Sequence, residues 1–163
     1  MFYESIAKVY DYIFPKNRKQ LEFVESIKKI SNEEKILDIG CATGNLTELL
    51  GEKTRNIVGI DLDKELLKEA IEKHPNLNFE NMNMLKINEK FEENSFDRVV
   101  SFGNTLVHLD SREEVEEFFQ KVYKTLKFNG FFIVQIINYN RVIEKNIKNL
   151  PTINNEKVKF VRD

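Results

Sequence analysis

Residues 35–44 read Lys-Ile-Leu-Asp-Ile-Gly-Cys-Ala-Thr-Gly, and no other stretch constrains the fold as much. A short apolar run that stops at a glycine is how a buried strand ends. The spacing Asp38-x-Gly40-x-x-x-Gly44 makes a turn in which the backbone can approach a ligand, and a helix follows from about Asn45 with Leu46, Leu49 and Leu50 on one face. A second strand is predicted over Asn56–Ile60, with Asp61 directly after it. Strand, helix and strand within thirty residues is the unit from which parallel sheets are wound.

The same alternation runs through the rest of the chain. Leu21, Val24, Ile27 and Ile30 recur at helical spacing. Asp63–Lys73 reads as a helix with Leu66, Leu67, Ala70 and Ile71 inward, ended by His74-Pro75. Leu77–Asn83 and Phe96–Phe102 read as the third and fourth strands. Ser111-Arg-Glu-Glu114 is a capping box opening a helix with Val115, Phe118, Phe119, Val122 and Leu126 in the core. Asn129-Gly130 is expected to stop that helix, and Phe131–Ile137 to form the fifth strand. Arg141–Leu150 reads as a short helix and Lys157–Arg162 as an extended segment. The predicted fold is α/β, a doubly wound, mostly parallel sheet with helices on both faces and its ligand site at the carboxyl ends of the strands.

Composition excludes several classes. A formal net charge of −2 is too little positive charge for phosphate-driven nucleic-acid binding. No apolar run approaches the ~18 residues of a membrane span. The single cysteine, Cys41, permits no internal disulfide, so the expected compartment is the cytoplasm. Two distant histidines and one cysteine give no zinc-site spacing, and no metal is predicted. His74, at a helix end, reads as structural and exposed.

Asp61 lies twenty-one positions beyond Gly40. A carboxylate there accepts hydrogen bonds from ribose hydroxyls, so loop and acid together indicate an adenosine-containing ligand. Dinucleotide folds use G-x-G-x-x-G; here Ala42 and Asn45 stand where the second and third glycines belong, which disfavours an NAD-dependent oxidoreductase.

Ile36–Gly44 resembles the first motif of the class I S-adenosylmethionine-dependent methyltransferases. Val58-Gly-Ile-Asp61-Leu62-Asp63 is similar to their second motif, and the likeness continues through Phe96–Phe102 and Leu126–Ile133. The resemblance implies S-adenosylmethionine as cofactor, S-adenosylhomocysteine as product and a small-molecule methyl acceptor. Asp38, Gly40, Cys41, Ala42, Gly44, Asp61, Leu62, Phe102 and Gly103 would then line the cofactor site, with Asn83 and Met84 at the adenine. Where the family usually has glycine, this chain has Ala42; where it often has aspartate after the third strand, this chain has Asn83.

Phe102-Gly-Asn104-Thr105-Leu-Val-His108 and the Asn138-Tyr139 pair resemble the glycine and sarcosine N-methyltransferase branch. That likeness implies Asn104 and His108 as catalytic candidates, and Tyr3, Tyr10, Asn104 and Tyr139 around the substrate. It also implies Arg18 on the cofactor carboxylate and a mobile helix over the cofactor in the Tyr3–Tyr12 region. Ile137 replaces the arginine with which glycine methyltransferases hold the substrate carboxylate, so an amino-acid acceptor held that way is disfavoured.

The expected organisation is one domain: a helical cap over 1–31, a cofactor-binding core over 32–138 and the start of a substrate cover over 139–163. Against the family pattern the chain reads as C-terminally truncated, leaving the fifth strand as an open edge through which copies or a partner could associate. A cofactor-binding module inactive by itself is the alternative to a methyltransferase acting on N or O of a small molecule.

Overall fold

The computed structural model describes residues 5–162. A 3-10 turn at Ala7–Val9 leads into α1 (Tyr10–Ile13) and α2 (Arg18–Ile27). The core then runs β1 (Ile36–Ile39), α3 (Asn45–Gly51), β2 (Ile57–Asp61), α4 (Lys64–Lys73) and β3 (Asn78–Asn81). It continues through α5 (Ile87–Lys90), β4 (Phe96–Ser101), α6 (Arg112–Thr125) and β5 (Leu126–Val134). After it come α7 (Tyr139–Glu144) and a hairpin of β6 (Leu150–Asn154) and β7 (Lys159–Arg162).

The five core strands form one parallel sheet in the order β3-β2-β1-β4-β5. The winding reverses between β1 and β4, and the crevice outside the carboxyl ends of those two strands is where such sheets bind ligands. Alternate residues of β1 serve opposite faces. Ile36 packs with Leu21, Val24, Leu46, Leu49 and Leu50 on one side. Leu37 and Ile39 pack with Ile87, Phe96, Phe118 and Val122 on the other. Asp38 falls on the first face beneath α3, fully buried within a strand that is buried along its length.

Capping residues set the helix starts, at Ser111 as the sequence implies and also at Asp63. Asp63 accepts from the N–H groups of Glu65 and Leu66, and Ser111 from that of Glu114. The Glu114 carboxylate reaches back to the Asp110 N–H at 2.8 Å. Arg98, fully buried on β4, ties α2 to the sheet: it pairs with Glu34 at 2.8 Å, donates to the Val24 and Lys28 carbonyls and lies over the Phe131 ring.

Three expectations need correction. The helix before β5 stops at Thr125, not at Asn129-Gly130, and β5 starts at Leu126 with those two residues inside it. Between the pairs Phe96↔Leu126 and Arg98↔Phe131, β5 carries three more residues than β4, so the excess bulges out. Gly130 is required there, because a Cβ would sit 2.9 Å from the Lys127 carbonyl and 3.1 Å from that of Asp97. Second, Ile27, Ile71 and Phe119 lie at the outer margins of their apolar stripes and are 52%, 52% and 42% exposed. Third, His74 is half-buried rather than exposed.

β5 is an edge of the sheet, and β6 and β7 pair only with each other among the described residues. The hairpin instead reaches the N-terminal segment, with Asn155 donating to the Tyr12 carbonyl at 2.8 Å and Phe160 against Phe14. No helix among the described residues is long and apolar enough to cross a membrane.

Candidate functional site

The loop after β1 takes three left-handed residues in alternation, Gly40 (φ 77°), Ala42 (φ 48°) and Gly44 (φ 80°). Glycine is required at the first and last by space as well as by conformation. A Cβ on Gly40 would fall 2.2 Å from the Thr105 hydroxyl, and one on Gly44 would fall 2.7 Å from the Phe79 ring. The N–H groups of Gly40 and Cys41 both donate to the Ile60 carbonyl, at 2.8 and 3.0 Å, so the loop hangs from the end of β2.

Asp61 ends β2 and holds the same loop from the other side. One carboxylate oxygen accepts the Ala42 N–H at 2.8 Å, the other the Asp63 N–H at 2.9 Å. Burial pushes the Asp61 carboxyl above its ordinary value, against the pull of those N–H donors. A carboxylate has about four acceptor positions, more than these donors occupy, so it can also accept from a ligand. Asp61, Leu62, Asn83 and Met84 line a cavity of about 400 Å³ together with Phe102, Gly103 and His108. Asn83 spends one lone pair of its amide oxygen on the Leu85 N–H at 2.8 Å, capping the turn at Met84–Lys86.

A second cavity, of about 610 Å³, lies on the other side of the loop and takes in Asp38, Gly40, Cys41, Ala42 and Asn104. The two adjoin, sharing Tyr10, Gly40, Ala42, Phe102 and Gly103 in their walls. The buried Asp38 carboxyl accepts from the Thr47 hydroxyl at 2.7 Å. Burial lifts it to about 7, with the Asp61 charge adding to the rise. Burial also drives the Cys41 thiol well above its ordinary value, which leaves it protonated and unsuited to nucleophilic work.

The residues expected to touch the acceptor are distributed unevenly. Asn104 is bonded through both ends of its amide, donating to the Tyr139 hydroxyl at 2.9 Å and accepting the Ile137 N–H at 3.1 Å. Gly103 donates to the Gln135 side chain at 3.0 Å. The segment after β4 is thus tied to the segment after β5. Among the described residues Tyr139 lines neither cavity, and His108 lines the first but not the second. Tyr3 lies outside the described residues.

Arg18 is not brought to the site. It points away at the start of α2, in a two-pronged contact with Glu52 on α3 at 2.8 and 3.2 Å. The cation at the cleft is Lys16, two residues earlier. Asp11, which the sequence did not single out, accepts from Thr43 and from Asn45 at the start of α3, and pairs with Lys73 of α4 at 2.8 Å. It fastens α1 over the loop and places Tyr10 at the junction of the cavities. These contacts span thirty to sixty residues, and no local pattern announces them.

A methyltransferase-domain family profile matches residues 36–130. The chain belongs to that family. The methyltransferase domain is 28% identical to a Geobacillus sp. (strain WCH70) protein provisionally described as a methyltransferase, over 99% of this chain and 68% of the relative. It is 29% identical to the similarly described YqeM of Bacillus subtilis (strain 168), over 88% and 59%. With a glycine/sarcosine N-methyltransferase of Aphanothece halophytica it shares 25% identity over 80% and 50%. The chain thus spans 50% to 68% of the length of these relatives. A solved S-adenosylmethionine-dependent methyltransferase from Clostridium acetobutylicum superposes with a TM-score of 0.75 at 22% identity, over 98% of this chain and 67% of that one. The S-adenosylmethionine-bound amino pentose methyltransferase CalS10 of Micromonospora echinaspora gives 0.69 at 18% identity, over 79% and 56%. The sheet and its winding are those of the Rossmann-like methyltransferases.

Proposed function

We propose that this chain binds S-adenosylmethionine along the joined cavities and transfers its methyl group to a nitrogen or oxygen of a small molecule. The observation that carries this reading is Asp61, whose carboxylate is held by the Ala42 and Asp63 N–H groups and lines the cavity. The donor set fits the cofactor: a carboxylate for the ribose diol, the Leu62, Met82 and Met84 side chains for a base, and a glycine floor at Gly40.

The bound cofactor supplies a methyl group activated on a sulfonium. The chain's own residues position and exclude water. Tyr10, fastened through its neighbour Asp11, covers the junction of the cavities. Asn104 braces the acceptor side through the Ile137 backbone and the Tyr139 hydroxyl, and Gln135, its oxygen taken by Gly103, keeps two N–H donors for an acceptor. Holding the nucleophile in line in a dry cleft supplies much of what such a displacement needs.

NAD suits the site less well. Asp11 already sits at the start of α3, where a pyrophosphate would meet its negative charge. Calorimetry with S-adenosylhomocysteine and NAD tests this; binding of NAD and not of S-adenosylhomocysteine would refute the reading. The outer edge of β5, unpaired among the described residues, favours a second reading in which a partner or another copy completes the acceptor side. A concentration-dependent mass in solution would support it.

A further inference from the structure

The outer edge of β5 is unguarded over its second half. Exposed sheet edges are ordinarily blunted by charge, proline or a bulge. The bulge between Leu126 and Phe131 serves the first half, but the run Phe131–Ile137 holds neither a charge nor a proline. The Gln135 N–H donates inward to the Ser101 carbonyl of β4. Backbone groups alternate along a strand, so those of Phe132 and Val134 face outward, where no strand among the described residues takes them. Beside this edge runs an aromatic stripe of α6. Phe119 packs on the Phe132 ring at 5.7 Å, which puts Phe132 and, two residues on, Val134 on the α6 face of the sheet. Val134 is 37% exposed, Tyr123, one turn beyond Phe119, 80%, and Phe128 in the bulge 92%. Edge and stripe make one exposed apolar surface, the kind that marks an interaction site. The charges of α6 are also divided along its length. The first half carries Glu113, Glu114, Glu116 and Glu117 with Arg112, and the second carries Lys121 and Lys124 and no acid.

We propose that this surface binds a second copy of the chain about a two-fold axis, β5 pairing antiparallel with β5 of the other copy. The assignment rests on the second reading above, whose open edge it gives an occupant, and not on the cofactor. A register with Phe132 of each strand opposite Val134 of the other satisfies the outward N–H and C=O groups of both. It joins the two five-stranded sheets into one and sets the two α6 helices antiparallel on the same face, with Phe119 near the axis. The acidic half of each helix then lies toward the basic half of the other, whereas a parallel pairing would set like charges together. Each Phe128 comes toward the segment after β5 of the other copy, which carries Gln135 and Ile137 on the acceptor side. A two-fold contact uses the same surface on both copies and so covers both β5 edges at once.

Light scattering and sedimentation over a dilution series test the proposal. The expected mass is twice that of the chain and falls to that of the single chain on dilution. Val134→Lys puts a charge on the edge and Tyr123→Lys puts one on the stripe. Each is expected to raise the dissociation constant about tenfold or more, while Ile143→Lys, at an exposed apolar position on α7, leaves it within about twofold. Tyr123 is exposed enough to be replaced without loss of the fold, and it carries the test if Val134→Lys unfolds. Three results would overturn the proposal: a single-chain mass up to about 100 μM, a mass that grows past two chains without limit, or a dimer that withstands both substitutions. Calorimetry with S-adenosylhomocysteine on the same samples keeps the readings apart. A dimer that dissociates as expected but binds no S-adenosylhomocysteine upholds this proposal and ends the cofactor reading. A single chain that binds S-adenosylhomocysteine ends this proposal, keeps the cofactor reading and leaves the open edge to a different protein.

Discussion

Replacing Asp61 with alanine removes the group that holds the loop and that, on the proposed reading, also holds the ribose. Its oxygens serve the Ala42 and Asp63 N–H groups, and the residue lines the cavity with acceptor capacity to spare. A hydrogen bond to a charged group contributes about 1.5–3 kcal/mol. The cavity is open enough for water to take over part of the ribose contact, so the loss should be nearer one such bond than two. We expect Asp61→Ala to weaken S-adenosylhomocysteine by about 1.5–3 kcal/mol, or roughly 10–150-fold. Asp61→Asn keeps one oxygen and sets an amide NH₂ against one backbone donor, and should fall between. Titration calorimetry reads the affinities, and thermal melting separates a loosened loop from a lost contact. A 2′-deoxy analogue of the ligand should lose less than the parent does. An affinity for S-adenosylhomocysteine within twofold of wild type, or equal losses for both ligands, would refute the ribose role.

Three further outcomes follow from the structure. Gly40→Ala combines a left-handed alanine, at a backbone cost of about 1–2 kcal/mol, with a clash against Thr105 and should lower the melting temperature; adding Thr105→Ala removes the hydroxyl and methyl at 2.2 and 2.4 Å but leaves the Thr105 Cβ at 2.8 Å, and should recover only part of the loss. Glu34→Gln leaves the fully buried Arg98 without its charge partner and should cost about 3–5 kcal/mol in urea unfolding. The Asp38 carboxyl is raised in the folded state from 3.8 to about 7, so the folded chain holds that proton more tightly than the unfolded one. Its ionisation therefore costs stability as pH rises from about 4 to about 7, and no further above that. Asp38→Asn should flatten the part of the stability profile across that window, as melting temperatures at pH 5 and 8 would show.

What could be read from the sequence was whatever is encoded locally. The strands β1, β2 and β4 announce themselves as apolar runs, and the cap at Ser111 as residue types at fixed offsets. Asn129-Gly130 has the residue types of a helix stop, and only the partner strand β4 reveals it as a bulge within β5. Arg18 and Lys16 illustrate a harder case. Both are cations near the start of one helix, and which of them faces the cleft depends on Glu52 and Glu48, more than thirty residues away. Asp11 was invisible for the same reason, since each of its partners belongs to another element.

The spacing of twenty-one residues between Gly40 and Asp61 has a structural cause. β1 and β2 pair with Ile39 opposite Ile60, so the next residues on the two strands, Gly40 and Asp61, leave the sheet side by side. The helix between them uses up the intervening chain, and the interval follows from the crossover itself. Adjacency then lets the two signals stabilise each other. Ala42 takes a left-handed conformation that costs an alanine about 1–2 kcal/mol, and the Asp61 carboxylate accepts the N–H which that conformation presents. The anion proposed to hold the ribose therefore also holds the loop without glycine at position 42. A dinucleotide fold, which needs that glycine so that its backbone can approach a pyrophosphate, could not substitute Ala42 in the same way. The departure from G-x-G-x-x-G thus belongs to the same device as Asp61: carboxylate and loop form one structural unit.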